Sequence, residues 1–136
     1  MKTSTRLEEN CQYWVDWLHR MVDIQEGKPC DCDYCKEIKD NCECEDNCEC
    51  DREYYLCENT PSWLMNRALD ISFKVNRDKE YQACELCVAC GGPGIYIDTD
   101  NNSINGYWGG ENVRLFYMSE ASRLIDDYAE ELYNCL

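Results

Sequence analysis

Eight of the thirteen cysteines fall between Cys30 and Cys57, and that stretch limits what the rest of the chain can do. It reads Cys30-Asp-Cys32-Asp-Tyr-Cys35, then Cys42-Glu-Cys44-Glu-Asp-Asn-Cys48-Glu-Cys50, and closes at Cys57. Carboxylates fill the gaps between thiols and aliphatic side chains are scarce. Such a segment cannot bury itself by hydrophobicity. Residues 30–58 therefore read as an acidic, cysteine-rich insert, and the core has to come from what flanks it.

Three organisations are open to the insert: metal, disulfides, or free thiols in an acidic loop. Cys-x-Cys occurs at 30/32, 42/44 and 48/50, and Cys-x-x-Cys at 32/35. Cys-x-x-Cys places two thiolates on one ion, while Cys-x-Cys favours bridging neighbouring ions. The eight thiols suffice for two tetrahedral zinc sites, with Zn–S bonds of about 2.3 Å. Zinc is thus the candidate cofactor, held by Cys30, Cys32, Cys35, Cys42, Cys44, Cys48, Cys50 and Cys57. The flanking carboxylates attract a cation but oppose thiol ionisation, so the metal itself has to drive the site.

The flanks carry regular patterns. In residues 4–26, Leu7, Cys11, Trp14, Val15, Leu18, Met21 and Val22 recur at helical spacing, with Ser4 or Thr5 as cap and Gly27 and Pro29 as stop. Tyr13, Trp17 and Ile24 lie off that stripe and suggest a second packed face. His19, the only histidine, reads as a residue satisfied by a partner or by solvent and not as a ligand. Thr60-Pro61 opens a short helix within 59–69.

From Asp70 the period becomes two. Ile71, Phe73 and Val75 mark one strand, and Tyr81–Cys90 a second. Ile95–Thr99, Ile104–Trp108 and Val113–Met118 complete a sheet over 70–118. Asn76–Lys79, Gly91–Gly94, Asp100–Asn102 and Gly109-Gly110 supply the turns. Ser119 is placed to cap a C-terminal helix over 119–136, whose apolar side is Ala121, Leu124, Ile125, Tyr128, Ala129, Leu132 and Tyr133. Glu120, Asp126, Asp127, Glu130 and Glu131 fall on the other side. The predicted fold is a single α+β domain: an antiparallel meander of four to five strands with N- and C-terminal helices on one face.

The net charge of −15 excludes some partners. Nucleic acid and anionic membrane surfaces repel such a chain, so neither is expected as a direct partner, and no apolar run is long enough to span a bilayer. Residues 1–10 contain no apolar h-region, so the chain is expected to be cytoplasmic. A basic protein surface is the favoured partner. Aromatics beside carboxylates suit such docking, which nominates Asp98, Asp100, Tyr107, Trp108 and Glu111, read as clustered around the hairpin. On the last helix Asp126, Asp127 and Glu130 join them.

Enzyme readings find little support. There is no Ser-His-acid set, phosphate loop or histidine pair. Gly91-Gly-Pro-Gly leads into a strand, so no helix N-terminus is there to hold phosphate. Cys84, Cys87 and Cys90 are spaced by three; regular alternation would put Cys84 and Cys90 on one face and Cys87 on the other, as small buried hydrophobes.

Ala89-Cys-Gly-Gly-Pro-Gly-Ile-Tyr-Ile-Asp-Thr, with Gly106-Tyr-Trp-Gly and the helix from Ser119, resembles small acidic proteins carried by phages and other mobile elements. The resemblance covers roughly residues 70–136 and leaves the insert out. By analogy of size and charge, such chains are similar to anti-CRISPR and antirestriction proteins, which block host nucleases by direct binding, some as DNA mimics. The expectation is a non-enzymatic inhibitor that binds a host defence protein; the alternative is a small zinc-binding protein whose insert mediates metal binding or a metal-stabilised contact.

Overall fold

A computed structural model describes residues 3–28 and 58–136. In order these form α1 (Thr3–Gln25), α2 (Pro61–Arg67), β1 (Asp70–Val75), β2 (Tyr81–Ala89), β3 (Gly94–Asp98), β4 (Ser103–Trp108), β5 (Glu111–Phe116) and α3 (Ser119–Asn134). The five strands pair antiparallel in sequence order, a plain meander. The fold is α+β, as the two periodicities predict. The ligand candidates Cys30–Cys57 lie outside the described residues.

The local chemistry explains the element ends. Gly27 adopts φ +99, with its N–H on the Ile24 carbonyl and the Lys28 N–H on the Asp23 carbonyl, a Schellman stop. Thr60 Oγ1 accepts the Trp63 N–H at 3.2 Å, and Pro61 opens α2 where its missing N–H costs nothing. Gly109 and Gly110 both have positive φ, the signature of a two-residue hairpin between Trp108 and Glu111.

One face of the sheet is covered. Alternation directs Ile71, Phe73, Cys84, Leu86, Ile95, Ile97, Ile104, Val113 and Leu115 inward. There α1 lies over β4 and β5 and α3 lies over β2, with Leu7, Leu18, Met21 and Ile125 fully buried. Burying a side chain of that size stabilises by about 1.5–3 kcal/mol, which fixes the helices to this face. The second face of α1 is also real: Trp17 is buried and stacks on Trp63 of α2 at 5.6 Å. At Gly106 the approach is close. A Cβ there would sit 2.6 Å from Cys11 Sγ and 2.9 Å from Leu7 Cδ1, so only glycine lets α1 settle on β4.

Two expectations need correction. Ser119 does not cap α3; Met118 holds the cap position with no side-chain cap bond, and its N–H donates to His19 Nε2 of α1 at 3.2 Å. Ser119 Oγ instead donates to Glu120 Oε1. Cys84 and Cys90 do not share a face either. The ladder slips between Cys87 and Ala89, so Val88 is the extra residue of a bulge. Cys84 points to the core, while Cys87, opposite Tyr96, lies on the sheet's other face.

Candidate functional site

The acidic and aromatic residues nominated from the sequence do not form one patch. Asp98 and Asp100 flank the β3–β4 turn; Tyr107, Trp108 and Glu111 sit at the β4–β5 turn. The two turns lie at opposite ends of β4, five residue steps or about 17 Å apart. Tyr107 and Trp108, as neighbours on a strand, also project to opposite faces.

At the β4–β5 end the aromatics are engaged with the protein itself. Tyr107 is exposed and meets Tyr96 edge-to-face at 6.0 Å on the face away from the helices. Trp108, opposite Glu111, lies beneath the Arg6 guanidinium of α1 at 5.9 Å. Glu111 is half-buried.

At the other end the turn carboxylates shape the backbone. Asp98 Oδ1 accepts the N–H groups of Asp100, at 2.9 Å, and Asn101, at 3.4 Å, while Oδ2 accepts Asn101 Nδ2 at 2.8 Å. This ties off the turn in which Asn102 takes φ +53. Asp100 pairs with Lys74 of β1, and that contact raises the Lys74 ammonium pKa. Both groups are solvent-exposed, so the pair contributes little stability.

On α3 the acids divide into two kinds. Asp126, expected on the outer side, turns inward. It accepts Tyr81 Oη at 2.6 Å and Thr99 Oγ1 at 2.8 Å, so its oxygens serve the fold. Burial, then this bond, raises the Tyr81 phenol well above its ordinary range. Thr99 Oγ1 in turn accepts the Cys84 N–H at 2.9 Å, which joins α3, β2 and the β3–β4 turn.

Asp127, Glu130 and Glu131 are exposed. At offsets of three and four residues they form one stripe on the helix. No ion pair among the described residues reaches them. Like charges at this spacing oppose the helix by about 0.2–0.5 kcal/mol per pair, and the last turn carries no basic residue to complement the dipole. Intramolecular stability does not account for this stripe, and Glu131 belongs in the candidate set with Asp127 and Glu130. The i, i+3, i+4 spacing that reveals it was legible in the sequence.

Among the described residues no group of three His, Cys, Asp or Glu side chains could hold a metal ion, and no helix is long and apolar enough to cross a membrane. All five described cysteines are free thiols. Comparison with family models, curated proteins and solved structures returns no match.

Proposed function

We propose that this chain is a non-enzymatic inhibitor that acts by binding a basic, nucleic-acid-binding surface of a host defence protein, a CRISPR or restriction nuclease. The observation that carries the reading is the Asp127–Glu130–Glu131 stripe: exposed carboxylates at repulsive spacing, with no cation among the described residues paired to them. A helix that presents charges every three to four residues, about 5–6 Å apart, offers a lysine- or arginine-lined groove a row of anions in place of phosphates. The cost of holding those charges together is recovered when a basic surface neutralises them. The net charge of −15 supports long-range steering to such a surface.

The test is binding to purified CRISPR effectors and restriction nucleases, across a salt series and with duplex DNA as competitor. Binding should weaken with salt and be displaced by DNA, and the triple variant D127N/E130Q/E131Q should lose at least about tenfold in affinity at low salt. Equal affinity for that variant, or binding indifferent to both salt and DNA, overturns the proposal. The zinc alternative rests on Cys30–Cys57 and is tested separately, by metal content of anaerobically purified protein.

A further inference from the structure

The bulge at Val88 creates a pair of thiols that alternation alone would have kept apart. Cys87 lies opposite Tyr96 and Ala89 opposite Ile95, so three residues of β2 span two positions of β3. Ala89 therefore shares the inward face of Ile95, and Cys90, the next residue, comes out on the face of Cys87 and Tyr96. Continuing the same register brings Cys90 level with Gly94, two positions from Tyr96, or about 6.7 Å along the strand. An unbulged strand would separate Cys87 and Cys90 by three positions, about 10 Å, and on opposite faces. Disulfides need Cα atoms about 4.4–6.8 Å apart. The bulge brings the pair to that limit.

Cys90 and Tyr96 both lie near enough to Cys87 to act on its thiol, whose pKa is raised chiefly by burial and further by Cys90. Cys87 Sγ donates to the Ala89 carbonyl at 3.4 Å, which aims the thiol toward the C-terminal end of β2, where Cys90 stands. Cys90 lies just beyond the ladder and is followed by Gly91, at φ +89, and Gly92, neither with anything near its Cβ position. The remaining approach costs little there, because those glycines can move without meeting a neighbour.

We infer that Cys87 and Cys90 form a dithiol–disulfide site, oxidised by small-molecule disulfides such as glutathione disulfide. Exposure assigns the roles. Cys90 is exposed and reacts first, while Cys87, 7% exposed, is sheltered and resolves. In the first step the Cys90 thiolate, having lost its proton to solvent, displaces one glutathione thiolate and forms a mixed disulfide. In the second, the Cys87 thiolate attacks Cys90 Sγ and releases the second glutathione thiolate. Two protein thiols are oxidised, one glutathione disulfide is reduced, and the two released protons protonate the leaving thiolates.

The experiment equilibrates the full chain in glutathione redox buffers, alkylates free thiols and maps the tryptic peptide Glu80–Arg114, whose only cysteines are Cys84, Cys87 and Cys90. Reduced protein should carry three alkyl groups on this peptide. Oxidised protein should carry one, on Cys84, with a Cys87–Cys90 link. Cys87→Ser should trap Cys90 as a glutathione adduct, whereas Cys90→Ser should leave Cys87 without one. Three alkyl groups at every redox ratio, a link to Cys84 or to a different peptide, or an adduct on Cys87 in Cys90→Ser overturns the inference.

Discussion

Tyr81 Oη at the start of β2 donates a 2.6 Å hydrogen bond to Asp126 Oδ1, two turns into α3. The same oxygen accepts Thr99 Oγ1 at 2.8 Å, so one half-buried carboxylate holds the helix to β2 and to the β3–β4 turn. Asp126→Ala leaves the Tyr81 hydroxyl without its acceptor, whereas Thr99 Oγ1 keeps the Cys84 carbonyl at 3.2 Å, and should cost about 1–3 kcal/mol. Asp126→Asn retains a carbonyl acceptor and should cost about half as much. Urea unfolding of the two variants checks the order; equal losses would mean the carboxylate oxygens are not what holds α3.

Alkaline pH should expose the same network. Burial, then the bond to Asp126, raises the Tyr81 phenol, and burial raises Tyr117, whose Oη donates to the Asp98 carbonyl and lies 2.8 Å from Ser122 Oγ. A phenol whose folded pKa exceeds its unfolded value near 10 stabilises the fold fully below that pH, and the contribution is lost as the pH rises beyond it. Stability should therefore fall above about pH 10. Tyr81 and Tyr117 should ionise only with unfolding, seen as one late, cooperative step in phenolate absorbance. Tyr81→Phe should reduce the amplitude of that step by one phenolate.

Much of this architecture is legible because its signals are local. Period-two alternation at Ile71 and Ile104, Thr60-Pro61, and Gly109-Gly110 each act within a few residues of where they are read. What escapes is set by distant partners. Asp126 sits on the polar side of a helical wheel, and only Tyr81 and Thr99, 45 and 27 residues away, show why it turns inward. The bulge at Val88 carries no glycine or proline to mark it, so alternation misassigns Cys90. Asp98 and Glu111 are close in sequence, yet a strand of six residues holds them at opposite ends. The Asp127–Glu130–Glu131 stripe is the reverse case, a site that needs only helical spacing.

Gly106 makes a packing prediction with an internal control. Gly106→Ala puts a methyl group 2.6 Å from Cys11 Sγ and 2.9 Å from Leu7 Cδ1, both fully buried, so α1 must lift from β4. Overpacking of this kind costs about 1–3 kcal/mol. Removing the sulfur with Cys11→Ala should make the same substitution cheaper, giving a coupling of about 0.5–2 kcal/mol in a double-mutant cycle. Additive losses would show that the contact with Cys11 does not set the helix–strand distance.

His19 Nε2 accepts the Met118 N–H at 3.2 Å, a bond that joins α1 to the first turn of α3 across 99 residues. An accepting Nε2 leaves the imidazole proton on Nδ1. Neutral His19 should therefore show the Nδ1–H tautomer in nitrogen-15 correlation spectra. Ser119 provides no side-chain cap, so this histidine supplies the local tie at the α3 start. His19→Ala orphans a half-buried N–H and should cost about 1–2 kcal/mol. Its loss should be greatest locally, with faster hydrogen exchange at Met118 and Ser119 than in the β2–β3 ladder. Unchanged exchange at Met118 would show that solvent, and not His19, satisfies that donor.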